Sequence, residues 1–134
     1  MLIYKQELPT DTIFPIKVNL PFSDKEQAKK FILKLDLQYD SPVMWYQADA
    51  QENESREFII AAIGTGHDWK DELDRDDYIG TILIDEGTLV LHYFILEADS
   101  DSETAKGLSQ LCDTIQKIKE EFADDEPDNV TDED

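Results

Sequence analysis

Apolar and polar residues alternate along much of the first two thirds of the chain, where β-branched and aromatic residues are frequent, and this pattern predicts strands. Pro15 assigns the second strand to a sheet edge or a bulge. The strand at 43–48 has apolar residues on both faces, which indicates a central position. The predicted strands are 2–8, 12–20, 43–48, 56–63, 78–84 and 88–96, the last two forming a hairpin closed by Asp85, Glu86 and Gly87.

The segment 23–38 combines two patterns. Ser23 and Glu26 have the spacing of a capping box, which predicts one or two helical turns over 23–30. From Phe31 onward apolar residues recur at every second position, which favours a further strand that ends at Gln38. A single helix over 24–37 is the alternative, because the lysines of this segment also suit one helix face.

Beyond Glu97 the apolar period becomes helical and predicts one amphipathic helix at about 102–122, capped by Asp101 or Ser102. The fold class is therefore α+β: a β-rich antiparallel sheet, or a small sandwich or barrel, with one C-terminal helix. We expect the apolar stripe of the helix to cover the sheet, with self-association as the alternative. The stripe consists of Leu108, Leu111, Ile115, Ile118 and Phe122.

The charge is strongly negative. Against 12 Lys and Arg stand 32 Asp and Glu, which gives a net charge of −20 and argues against direct contact with nucleic acid phosphates or anionic lipid. Seven acids and no base fall in 123–134, so we predict one globular domain at 1–122 followed by a disordered acidic tail. No apolar run is long enough for a bilayer, and we expect a cytoplasmic protein.

Few residues offer catalytic or metal-binding chemistry. Cys112, the only cysteine, lies on the apolar stripe and is expected in the core. His67 could join nearby carboxylates around a metal, but the spacing does not match a helical zinc site. Pairing of the hairpin places His92 opposite Thr81, as a hydrogen-bonded structural residue. We therefore expect no enzyme activity, no cofactor and no metal.

Several motifs together resemble a family of short uncharacterised proteins of bacteriophages and prophages, over about residues 2–97. They are Ile3-Tyr4-Lys5 with Leu8-Pro9, Trp45, Arg56 with Phe58, GTGH at 64–67, YIGT at 78–81, and Leu89, Val90, His92 and Phe94. The segment 23–30 and everything after Glu97 depart from the pattern. The resemblance implies a viral accessory protein in a host cell and assigns no reaction.

The charge and this resemblance lead to one main hypothesis. A folded surface rich in carboxylates can imitate nucleic acid and block the basic groove of a host or defence protein. The expected contacts are Asp68, Asp71, Glu72, Asp74, Asp76, Asp77, Asp99, Asp101 and Glu103.

The alternative hypothesis is a homo-oligomeric protein that binds or sequesters a small ligand. The terminal helix would assemble the copies. The loop of Gly64, Thr65, Gly66 and His67 would contact the ligand, because glycines permit a close approach to an anion.

Overall fold

The computed structural model describes residues 1–12, 14–49, 55–66 and 73–131, with the backbone alone from 122 onward. Those residues form seven strands, two α-helices and a short 3₁₀ helix at Arg75–Asp77. The elements in chain order are β1 (Leu2–Glu7), β2 (Ile16–Leu20), α1 (Lys25–Phe31), β3 (Ile32–Gln38), β4 (Ser41–Ala48), β5 (Arg56–Gly64), β6 (Tyr78–Ile84), β7 (Leu89–Glu97) and α2 (Glu103–Thr131).

The strands form two antiparallel sheets. One has the order β1-β4-β3 and the other has the order β2-β5-β7-β6. The sheets approach each other where β3 meets β6, at a point that requires glycine: a Cβ on Gly80 would lie 3.0 Å from Cδ2 of Leu35. The strands described do not join into one closed barrel, and the predicted α+β class is confirmed.

Two apolar clusters hold the layers together. The larger one fills the space between the sheets and includes the fully buried Leu20, Phe58 and Tyr93. The smaller one lies on the opposite face of the four-stranded sheet, where Phe94 and Leu96 pack against Ala105 of α2. The four-stranded sheet is therefore covered on both faces, which accounts for the nearly continuous apolar sequence of β5.

Most predicted strands are confirmed. β4 is the central strand of its sheet, β6 and β7 form the expected hairpin, and Thr81 pairs with His92. Three details are corrected. β2 begins only after Pro15, whose ring removes a backbone donor. Asp24, in extended conformation, caps α1 instead of Ser23, because its carboxylate accepts from the Gln27 N–H at 2.8 Å. The single helix over 24–37 is wrong, because the chain turns into β3 at Ile32.

α2 covers the four-stranded sheet with only part of its apolar stripe. Ala105 and Cys112 are buried and Leu108 and Ile115 are half-buried, whereas Leu111 and Ile118 are 39% and 45% exposed. The side chain of Phe122 lies outside the described residues.

The C-terminal boundary of α2 also differs from the expectation. The helix continues to Thr131, past its predicted end at 122 and through Pro127. Disorder of 123–134 stays a prediction. None of the helices described is both long and apolar enough to cross a membrane.

Candidate functional site

Acidic side chains from three separate parts of the chain meet around one cleft of about 470 Å³. The start of α1, the 3₁₀ helix with the residue before it, and the link from β7 to α2 form its walls. We call this the acidic cleft. Its lining residues are Asp24, Lys25, Glu26, Asp74, Asp76, Asp77, Leu96, Glu97, Ser100 and Ser102.

The acids gather there because helices begin there. Asp24 caps α1, Asp74 caps the 3₁₀ helix, and the hydroxyl of Ser102 accepts from the Ala105 N–H at 3.0 Å at the start of α2. A helix start leaves backbone N–H groups unsatisfied and carries partial positive charge, so Asp and Ser stabilise it as caps and acids stabilise its first turn. The fold therefore offsets part of the repulsion between these carboxylates.

Asp77 is the structural centre of the acidic cleft. It is 5% exposed, and its carboxylate contacts the Lys25 ammonium at 2.6 Å and accepts from the Asp74 N–H at 3.1 Å. Burial lowers the pKa of Lys25, but the hydrogen bond to Asp77 and the surrounding carboxylates outweigh this effect and raise the pKa above its usual 10.5. Asp77 was predicted as a partner contact, but the structure uses its carboxylate inside the fold.

Two basic residues that do not line the acidic cleft, Arg56 and Lys29, contact residues that line or adjoin it. Arg56 lies between Glu97, at 3.7 Å, and Asp99, at 3.1 Å, and it also donates to the Ser23 carbonyl at 2.6 Å. The hydrogen bond that the Arg56 guanidinium donates to Asp99 is the main cause that raises the pKa of Arg56. Lys29 donates to the carbonyl of Asp76. Asp99 is thus already paired with a cation, although it remains exposed.

Among the predicted contacts in the described part of the chain, Asp77 is buried, whereas Asp74 and Asp99 are exposed but already used by a helix cap and by Arg56. Asp76, Asp101 and Glu103 are exposed, and Glu26 joins them from α1. Asp68, Asp71 and Glu72 lie outside the described residues. Sequence reasoning missed Asp24, Glu26 and Glu97; the Ser23–Glu26 spacing marked the helix start, but only the fold brings this start beside the 3₁₀ helix.

The residues of the alternative ligand loop take part in a different arrangement. The Thr65 hydroxyl lies 2.7 Å from Nε2 of His92, whose Nδ1 lies 2.9 Å from the Thr81 hydroxyl, and Thr81 in turn contacts the Tyr78 hydroxyl. Hydroxyls both donate and accept, so they satisfy the imidazole in either protonation state. His92 is thereby a hydrogen-bonded residue of the sheet, as predicted. His67 lies outside the described residues, and ligand binding at this loop stays a prediction.

The described part of the chain offers neither an accessible thiol nor a cluster of metal ligands. Cys112 is buried, its thiol contacts the Pro15 carbonyl at 3.4 Å, and burial raises its pKa. Within 1–12, 14–49, 55–66 and 73–131, no three His, Cys, Asp or Glu side chains converge to hold a metal ion.

Comparison with known proteins places the chain in a family. The family model described as "Domain of unknown function (DUF7352)" matches residues 1–104. The chain belongs to this family. The match includes every residue that lines the acidic cleft, whereas almost all of α2 lies outside it. No curated protein and no solved structure matches the chain.

Proposed function

We propose that this protein is a non-catalytic binding protein whose acidic cleft docks onto a cationic surface of another protein. The observation that carries the proposal is the convergence of carboxylates from 24–26, 74–77 and Glu97 around one cleft. Carboxylates concentrated on one side of a small domain produce a directional field, which accelerates association with a basic partner.

The acids of the acidic cleft fall into two groups, those bonded within the fold and those exposed to solvent, and this supports the proposal. Asp24, Asp74 and Asp77 are used by helix caps and by Lys25, which fixes the walls of the acidic cleft. Glu26 and Asp76 are exposed on those walls, where their charges can face a partner. A rigid frame with charges held at its rim loses little conformational entropy when a partner binds.

The finer part of the proposal concerns the partner. A basic groove that normally binds nucleic acid offers regularly placed cations, which suit a surface of fixed carboxylates. The resemblance to phage proteins adds a setting: a host or defence protein in the host cytoplasm, inhibited when its groove is occupied.

Neutralisation of rim charges tests the proposal. The double substitution Glu26→Gln with Asp76→Asn removes two charges without removing a helix cap or a buried contact. Exposed ion pairs contribute about 0.2–1 kcal/mol each, so affinity for a decalysine peptide should fall about 2- to 30-fold. The matched control is Asp40→Asn with Glu86→Gln, because both acids are exposed at turns and do not line the acidic cleft.

Calorimetric titrations at low and high salt complete the test. Binding should weaken strongly when ionic strength rises from about 0.05 M to about 0.5 M, because exposed charges are then screened. A third variant, with the seven acids of 123–134 changed to amides, separates the tail from the domain. Binding that ignores salt, or that falls equally in the control variant, would refute docking through the acidic cleft.

A further inference from the structure

An apolar groove of about 550 Å³ lies between α2 and the segment that joins β1 to β2. One wall comes from the β1–β2 segment and the other from Ile115, Ile118 and Lys119 of α2; the first wall consists of Leu8, Pro9, Thr10, Asp11, Phe14 and Ile16. We call it the α2 groove. Phe14 and Ile118 at its rim are 49% and 45% exposed, which is unusual for large apolar side chains that face each other across a groove.

Both walls are held in place by the fold. The buried Tyr93 hydroxyl donates to the Pro9 carbonyl at 2.7 Å, and the Cys112 thiol of α2 contacts the Pro15 carbonyl at 3.4 Å. The Phe14 N–H donates to the Asp11 carboxylate at 2.9 Å, which fixes the turn before β2. The α2 groove is therefore formed before any partner arrives, so its occupation requires little reorganisation.

Charge distinguishes the possible occupants. A second copy of this chain would bring two bodies of net charge −20 together, and their repulsion opposes assembly. The two charged residues of the lining, Asp11 and Lys119, balance each other, but Glu120 and Glu121 follow directly and are exposed. On a protein of net charge −20, mostly apolar walls suit a segment that is apolar on one side and cationic on the other.

The acidic cleft and the α2 groove both adjoin α2, the cleft at its start and the groove near residue 118. Ser102, at the start of α2, lines the acidic cleft, and Ile118 lines the α2 groove. At about 1.5 Å per residue, the two lie about 24 Å apart along one helix. A partner segment of about 16 residues in helical form spans that distance.

We propose that the α2 groove holds the apolar side of a cationic amphipathic segment of the partner protein. This inference rests on the proposed function, because it assigns a second contact to the same basic partner. The acidic cleft attracts the segment, and the α2 groove discriminates among basic segments by their apolar face.

Three synthetic peptides of about 18 residues test the proposal on the full chain. The first contains Leu and Lys in a helical amphipathic pattern. The second has Gln at each Leu position, which keeps the charge and the helix propensity. The third has Glu at each Lys position. We expect the Leu–Lys peptide to bind at least about tenfold tighter than either of the others, because it alone combines apolar burial with opposite charge.

Variants of the α2 groove locate the contact. Ile118→Ser and, on the opposite wall, Phe14→Ser should each weaken the Leu–Lys peptide about 5- to 10-fold and leave the Lys–Gln peptide unchanged. The control is Leu33→Ser, because Leu33 is 50% exposed on β3, away from the α2 groove. Two variants on separate elements guard against the misfolding of either one.

The outcomes separate this inference from the proposed function. Equal affinities for the Leu–Lys and Lys–Gln peptides, both sensitive to salt, would refute binding in the α2 groove and would still support docking through the acidic cleft. Equal binding of the Leu–Glu peptide would overturn the choice of a cationic occupant. A dimer in sedimentation that Ile118→Ser converts to a monomer would show that a second copy occupies the α2 groove, which would refute a partner segment as its occupant. Failure of both lysine peptides to bind would overturn both proposals.

Discussion

Replacement of Asp77 is the sharpest stability test, because this single carboxylate joins α1 to the 3₁₀ helix across the acidic cleft. In Asp77→Ala the Lys25 ammonium loses its 2.6 Å contact, and the start of the 3₁₀ helix loses the reciprocal bond to the Asp74 N–H. Asp77→Asn keeps the shape and one acceptor oxygen, but its NH2 group replaces the other oxygen, so either the Lys25 ammonium or the Asp74 N–H loses its acceptor.

The expected magnitudes follow from these two contacts. A hydrogen bond to a charged group contributes about 1.5–3 kcal/mol, and a helix cap contributes about 0.5–2 kcal/mol. The Lys25 side chain is 25% exposed and regains some water when its partner is lost, so we expect Asp77→Ala to cost about 2–3 kcal/mol, in the lower half of the combined range. Asp77→Asn should also destabilise the protein, but by no more than Asp77→Ala, because its amide retains one of the two acceptor oxygens.

Urea denaturation measures both variants, because urea does not screen charges as guanidinium does. The neighbour Asp76 is exposed, so Asp76→Ala should change the free energy of unfolding by no more than about 0.5 kcal/mol. A cost for Asp77→Ala no greater than that of Asp76→Ala would refute the structural role of Asp77. A coupling energy near zero in the cycle with Lys25→Met would refute the ion pair.

Three further predictions concern other parts of the fold. Hydrogen bonds from the Leu37 N–H and then from the Lys34 ammonium lower the pKa of Asp36 below its usual 3.8. The difference in the free energy of unfolding between the native chain and Asp36→Asn should therefore be constant above about pH 5 and shrink below about pH 4. Acid unfolding curves of both proteins measure this difference. Because Cys112 is buried and its pKa is raised, an aromatic disulfide reagent should label it only as urea unfolds the chain; rapid labelling of the folded protein would contradict its core position. Thr81→Val should cost about 0.5–1.5 kcal/mol through the lost bond to His92, whereas Thr81→Ser should restore most of it; equal losses would show that the hydroxyl contributes nothing.

Local patterns were sufficient to predict the strands and their hairpin. The alternation within β3 and β4 and the pairing of Thr81 with His92 depend on period and on short loops, both of which are visible in the sequence. The exact helix starts were harder to predict. Ser23 and Asp24 are both good caps, and only the extended backbone at Asp24 directs its carboxylate to the Gln27 N–H.

The acidic cleft could not be predicted from the sequence alone, because its walls come from segments far apart in the chain. The acids at 74–77 and 99–103 stand out as charged runs, but their neighbours in space, Asp24 and Glu26, come from a helix about 50 residues earlier in the chain. A charged run also cannot reveal that Asp77 turns inward while Asp76 faces solvent, because that choice is made by Lys25 on α1.

The most direct test of docking through the acidic cleft is carbodiimide coupling of the full chain to decalysine, with the joined carboxylates located by mass spectrometry. A zero-length reagent joins only carboxylates and amines already in contact. We predict coupling at Glu26 and Asp76 of the acidic cleft and at the adjoining Asp101 and Glu103, suppressed by high salt, with little coupling at Asp40 or Glu86. Coupling spread evenly over all exposed acids of the domain would contradict the account.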